Sequence, residues 1–498
     1  MAGGDVTPLP RRELTVLCGL VACAMFSFAV IYPFLPFLVG WYLPQLEDHQ
    51  FGFFAGYLGS AFNLGSIFAA FFWGRLADAI GRRPVFLICI AALAIGMLGF
   101  AFSPSFWVSV GIRFVSGTFM GIPAVAQTYM ADICDETNMA TAFSMFGMIR
   151  GCVLVVGPAL GGFLVRPAEK FGGVFDNELL RAYPFCLPIL VGCFGLTMSF
   201  VGVLLLLPET LVPPPPPLRQ ALGKLCGRGQ DRKKYQQLEM DEAALVDESV
   251  GSEPELPPER RSCMAKLGCV LLKERKVFLA CSAATLIAIV QMGSQEVFAL
   301  WVLVEPSKGG FGFDATDIAS ISSIAGAMMP PAQMLLFPPF CRKFGAKKTA
   351  MAVMTTQAVT CCLLPLTAPF DSGADDWLAF VLVVVGYCCV QVTNSMSMTV
   401  TGMLTANAAR TRERGTVMGL QQMMSSVGRT TGPAGGALMI AWSLEGRGEA
   451  GEAWAPRAFP FDYHFTWFCA AATSAAAVGL MAQMPGSIDR KMDESPRE

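Results

Sequence analysis

Long apolar runs, each bounded by a few charged or turn-forming residues, dominate the chain. Runs of 18 or more apolar residues read as membrane-spanning helices, because ~20 residues at helical rise cross a hydrocarbon layer ~30 Å thick. The first extends from Leu14 to Leu43 without a charge. No small-residue cleavage site ends a short apolar core there, so it reads as a retained span. Five more follow at Gly52–Trp73, Pro84–Ser103, Phe106–Ala131, Met139–Val165 and Pro184–Leu207. After a polar break come Val277–Val304, Ile318–Phe337, Thr349–Pro369, Trp377–Ala406, Val417–Trp442 and His464–Met484. The expected architecture is an all-α integral membrane protein of twelve transmembrane helices in two six-helix halves, residues 14–207 and 277–484. An N-terminus (1–13), a linker (208–276) and a C-terminal tail (485–498) complete it.

Charge sets the orientation, since Lys and Arg collect on the cytoplasmic side of short loops. With the N-terminus inside, 27 of the 36 Lys and Arg fall on inside segments and 6 on outside loops. The remaining three, Arg113, Arg150 and Arg429, lie within spans. Both termini are therefore expected in the cytosol. The linker opens on Pro213–Pro217 and mixes charges to Arg261, which suits a largely disordered cytosolic tether. Its Arg232-Lys233-Lys234 cluster reads as a solvated loop or as a contact for anionic lipid.

Composition narrows the function classes. The 498 residues are 54% hydrophobic and 15% charged, against ~25% charged in soluble proteins. A formal net charge of −2 argues against nucleic-acid binding as a main activity. Two His argue against a histidine metal site, and no metal cluster or cofactor is expected. Seventeen Cys lie mostly in apolar runs, as at Cys361-Cys362 and Cys388-Cys389, and are expected to be mostly free thiols. There is no Walker A run and no Ser/His/Asp arrangement, so an enzyme or an ATP-driven pump is disfavoured.

The two halves resemble each other weakly. Each has a basic Gly-containing loop after its second span, Asp78–Arg83 and Arg342–Lys348, and each has Gly-Pro in its fifth span, Gly157-Pro158 and Gly432-Pro433. Such parallel repeats occur in transporters that rock two halves about a midplane site. In the first loop, Gly74 permits close helix packing and Gly81 permits positive φ. Asp78 can pair with Arg82 or Arg83, or cap the third helix.

The stretch Gly74-Arg75-Leu76-Ala77-Asp78-Ala79-Ile80-Gly81-Arg82-Arg83 resembles the signature of the major facilitator superfamily, with Ala79 where a base is usual. Arg113 through Gly117 resembles that superfamily's fourth-span Arg element. Ser144, Gly157, Pro158, Gly161 and Gly162 resemble its antiporter signature, with Val153 replacing the middle Gly. Physically that motif serves as a hinge or as packing. Gly157–Phe171, Phe185–Pro188, Leu207–Leu211, Glu296–Trp301, Gly309–Phe313 and Gly432–Gly436 resemble the zinc-induced-facilitator-like family. That resemblance implies a drug:proton antiporter branch moving organic anions, metal chelators or other small solutes. Val212 replaces the family's His, and no Cys precedes Leu14, which leaves zinc or a zinc chelate unsupported as cargo.

A proton-coupled carrier needs a titratable group within reach of its path. Glu296, flanked by Gln291 and Gln295, is the expected proton carrier, with a solvated end position or a structural ion pair as the alternative. Arg150 and Arg429 are candidate contacts for an anionic solute, and Arg150 could instead pair with Glu296. Asn63, Gln127, Gln291, Gln295 and Asn394 are further cavity candidates, as are Tyr129 and Gln391; each serves equally as helix–helix glue. Asp132 and Glu136 close the fourth span, where they either clamp Arg75, Arg82 and Arg83 as a two-state gate or are ordinary helix-end charges.

The expected function is proton-coupled secondary transport, an antiport of a small organic, anionic or chelate-like solute by alternating access. The alternatives are a facilitator or symporter of the same fold, or a non-transporting membrane receptor or scaffold. The expected partners are that solute, protons and the lipid bilayer, with no nucleic acid. The protein is expected to be a monomer in the vacuolar or plasma membrane.

Overall fold

The computed structural model describes residues 7–45, 48–135, 137–171, 176–211, 274–304, 309–313, 315–370, 376–444 and 459–489. Regular structure among them is helical throughout. The first span is α1 (Arg11–Ala29) and α2 (Leu35–Tyr42), split by a 3-10 turn at Tyr32–Phe34. The uninterrupted first span expected from hydropathy is therefore corrected. Pro33 and Pro36 lack the N–H groups that would carry the ladder across, and Pro36 sits in the first turn of α2. Next come α3 (Asp48–Ile80) and α4 (Arg82–Ala101). The fourth span is likewise two helices, α5 (Phe106–Gly117) and α6 (Ile122–Ile133), the second with Pro123 in its first turn. The long α7 (Met139–Phe163) runs through Pro158. Two short helices, α8 (Pro167–Phe171) and α9 (Glu178–Ala182), lead to α10 (Cys186–Leu206).

The second half comprises α11 (Arg275–Leu303), α12 (Ala315–Leu335), α13 (Phe337–Phe344), α14 (Ala346–Leu363), α15 (Asp376–Ala408), α16 (Arg414–Leu444) and α17 (His464–Ala482). All twelve expected spans thus fall on helix. Among the described residues, nine helical stretches are long and apolar enough to cross a membrane. The other three expected spans lie on α3, α12 and α16, helical over 33, 21 and 31 residues. Only the two ends of the expected linker, 208–211 and 274–276, are described; the tail beyond 489 and the 212–273 stretch lie outside the described residues. The 14 described cysteines are free thiols.

The turn expected from Gly81 is a single left-handed residue, φ 101°, between α3 and α4. Gly345, φ 83°, repeats it between α13 and α14. A carboxylate from the end of the same half sits against each glycine: Glu209 against Gly81 and Asp489 against Gly345. The two carboxylates accept backbone N–H bonds from the helix that follows. Glu209 takes those of Arg82 and Arg83 at 3.0 Å each, and Asp489 takes that of Lys347 at 2.7 Å. The weak sequence repeat therefore corresponds to one structural device used twice, in which a left-handed glycine admits a carboxylate to a helix N-terminus.

Gly157 and Gly161 put α7 directly against Ala29 and Val30 of the first span, so the antiporter-like motif packs these helices. A Cβ at Gly161 would overlap the Val30 carbonyl oxygen, whereas nothing lies within 4 Å of one at Gly162. Overpacking of this kind costs ~1–3 kcal/mol. We expect Gly161→Val to cut the yield of monodisperse protein on size-exclusion chromatography severalfold and Gly162→Ala to leave it unchanged. Equal yields would show that the first and fifth spans tolerate separation.

Candidate functional site

Charged groups concentrate at the end of the bundle that carries the Gly81 turn. Arg414 opens α16, so the N–H groups of Gly415 and Thr416 lack intrahelical acceptors. Asp78 of α3 supplies them. It accepts from Gly415 N–H at 3.0 Å, Thr416 N–H at 2.6 Å and the Thr416 hydroxyl at 2.7 Å. A first-half carboxylate thus caps a second-half helix. Asp78 also pairs with Arg82 at 3.4 Å. The expected pairing holds, but the helix it caps is α16, because Glu209 already occupies the N-terminus of α4.

Asp132 completes the interlock. It lies 3.2 Å from Arg82 Nε and 2.7 Å from Arg414 Nη1, and it accepts from the Thr210 hydroxyl at 3.3 Å. Arg82 is fully buried and Arg414 is 2% exposed. Arg82 also donates to the Thr411 carbonyl across the interface at 3.3 Å. Gly74 meets Gly415 backbone to backbone, which allows α3 and α16 to come this close. Glu136, the other expected gate carboxylate, lies outside the described residues. Glu209 was missed as a functional residue. Its signal was its place just after the last apolar run of the first half, in the Pro208-Glu209-Thr210-Leu211 motif.

Deeper in the bundle, Arg150 of α7 places Nη1 against the Met398 thioether of α15. Arg429 of α16 donates to Ser426 Oγ at 2.7 Å. Both side chains are enclosed by protein yet half-buried, as expected of groups facing an internal space. Among the described residues neither has a carboxylate within 4.0 Å, so the alternative of an Arg150–Glu296 pair does not form. Met398 lines a small cavity with Gln291 and Thr401, and with Gln421 and Ser425 of α16. Gln421, Ser425 and Arg429 are spaced by four, so they share one face of α16. Gln291 is 3% exposed and its Oε1 has no hydrogen-bond partner among the described residues.

The other candidates disperse. Glu296 is exposed on α11 rather than buried, because its helical phase turns it away from the packed face of Ser294, Val297 and Phe298. Its neighbour Gln295 is half-buried. Asn394 is 1% exposed and ties three helices of the second half together. It accepts from Gln357 at 2.5 Å and donates to Ser294 at 3.3 Å and Gln391 at 3.4 Å. It is helix–helix glue rather than cavity lining. Asn63 is exposed and donates to the Gly59 carbonyl of its own helix. Gln127 faces Gly402 across the two halves. Tyr129 donates to the Pro208 carbonyl at 3.0 Å. Arg113 is buried with its guanidinium 4.6 Å from the Phe62 ring centre and 5.7 Å from that of Phe100, while Gly117 packs on the Phe62 backbone. Ser144 donates to the Thr141 carbonyl at 2.7 Å. No group of three or more His, Cys, Asp or Glu among the described residues could hold a metal ion.

Residues 17–433 match the Major Facilitator Superfamily. The chain belongs to that superfamily. It is therefore a multi-pass membrane transporter, not an enzyme. Two curated relatives from Arabidopsis thaliana extend over most of its length. ZINC INDUCED FACILITATOR 1 is 27% identical over 440 residues, 87% of this chain and 85% of its own. A probable peptide/nitrate transporter is 27% identical over 442 residues, 87% of this chain and 84% of its own. Among solved structures, that of the proton:xylose symporter XylE has a TM-score of 0.68 over 97% of this chain and 98% of its own, at 13% identity. That likeness bears on the fold alone.

In this facilitator the interlock predicts a specific sensitivity. Removing one partner from a buried ion pair costs ~3–5 kcal/mol, because the remaining charge stays buried. Asp132→Asn leaves Arg82 and Arg414 facing an amide, so the closed contact at that end should loosen. Cys134, 3% exposed two residues away, is the reporter. Peptide-resolved maleimide labelling should find Cys134 reacting at least tenfold faster in the variant. Equal rates would show that Asp132 does not hold this end closed.

Proposed function

We propose that this facilitator carries a small organic anion or anionic chelate by alternating access, in exchange for protons. The observation that carries the reading is the pair Arg150 and Arg429, half-buried in the interior with no carboxylate within ion-pairing distance among the described residues. A cation in a low-dielectric interior is costly unless paired. A neutral side chain at either position would avoid that cost, so two cations there fit a negatively charged cargo.

The remaining parts take roles around that site. Asp78, Asp132, Arg82 and Arg414 act as the two-state gate at one end, held shut by bonds that cross between the halves. Glu296 carries the coupling proton. Its exposure on α11 matches the solvated alternative, so the coupling role rests on its place in the apolar run of that helix. The bias of the loop charges supports a cytosolic side for both termini, and hence for the gate. The vacuolar and plasma membranes both accommodate this orientation, and the protein works as a monomer.

The test uses proteoliposomes loaded with a metabolite extract, with and without an imposed pH gradient, read by untargeted mass spectrometry. Anionic solutes should accumulate only with the gradient. Glu296→Gln mimics the protonated form, so solute exchange should survive while gradient-driven accumulation disappears. Accumulation by Glu296→Gln at the wild-type level would place the proton site elsewhere. Accumulation of neutral or cationic solutes alone would end the anion reading.

A further inference from the structure

Resting on the reading that the cargo is anionic, we infer that the site takes a doubly negative ligand, two carboxylates or their equivalent, bridging Arg150 of the first half to Arg429 of the second. The geometry places Arg150 on α7 against Met398, and Met398 lines the same cavity as Gln421 and Ser425. Arg429 follows one turn beyond Ser425 on that face of α16. Two guanidiniums from opposite halves therefore lie beside one cavity, Arg150 through Met398 and Arg429 one turn beyond Ser425. A single negative charge would neutralise one and leave the other enclosed and uncompensated.

The present partners of these arginines are placeholders. A thioether is a weak acceptor, and the Ser426 hydroxyl is neutral, so neither offsets a full charge. Carboxylates accept from guanidinium with shorter and stronger bonds, and a ligand carrying two would displace Met398 from Arg150. Gln291 Oε1, buried, unpartnered and on the wall of the same cavity, offers an acceptor for a hydroxyl or N–H of that ligand. The bridge also has a mechanical consequence. Like charges on the two halves repel while the site is empty, and a dianion converts the repulsion into attraction across the interface. Binding would then favour closure of the halves around the ligand.

The experiment compares succinate with butyrate, four-carbon acids with two carboxylates and one, at constant ionic strength. The readout is thermal stabilisation of the purified full-length protein in nanodiscs. Wild type should reach half-maximal shift at a succinate concentration at least tenfold below that of butyrate. Arg429→Gln should bring the ratio to about twofold or less. Arg150→Gln should do the same, which keeps the test open if one variant fails to fold. Met398→Asp should also abolish the preference, because a resident carboxylate would take one guanidinium. Equal response of wild type to the two acids overturns the dianion inference and leaves the anionic reading standing. A succinate preference that persists in both arginine variants places the site elsewhere and overturns it as well. No shift with either acid overturns the inference together with the reading beneath it.

Discussion

Asp132 holds two guanidiniums from opposite halves of the molecule, and the arrangement of the interlocked end follows from that contact. Arg82 reaches it only because Gly81 turns left-handed and Glu209 anchors the two N–H groups that follow. Arg414 reaches it because α16 begins there, and α16 can begin there because Asp78 caps its first turn. Buried ion pairs of this type contribute little net stability over apolar packing, yet are expensive to break by halves. They are better suited to fixing one arrangement of two bodies than to cementing it. A carrier that must reverse the arrangement many times needs that property.

Four of the enclosed arginines divide into two kinds. Arg82 and Arg414 share a carboxylate and are nearly inaccessible. Among the described residues Arg150 and Arg429 have only a thioether and a hydroxyl, and they keep some accessible surface. The first kind ties the two halves together at one end of the bundle. The second leaves positive charge facing a cavity, and the proposed anionic cargo would supply what the protein withholds. The same chemistry therefore serves the gate when the counter-charge is built in, and the site when it must arrive from outside.

Much of the fold was legible because crossing a membrane demands little beyond run length and the absence of charge. Every apolar run marked by hydropathy falls on helix, but hydropathy did not show the breaks inside the first and fourth, which depend on Pro33, Pro36 and Pro123 within still-apolar runs. Asp78 and Asp132 were legible because a motif and a span end marked them, although the helix Asp78 caps could not be read from its own neighbourhood. Helical phase decided the rest. Asn394 and Glu296 both stand in the second half's apolar runs, but one points into a three-helix contact and the other outward. Sequence position alone does not distinguish these directions, since facing depends on which helices pack on which side. Glu209 and Asp489 escaped notice for a related reason: each acts on a turn more than a hundred residues away.

The proposed two-state gate requires that Asp132 hold the halves together at the interlocked end and that they separate there during transport. Double electron–electron resonance between genetically encoded spin labels at Ala79 and Thr411, in nanodiscs, tests it most directly. One short-distance population is expected in the wild-type background and a second, longer population in the Asp132→Asn background. A single, unchanged short distance in both backgrounds would contradict it.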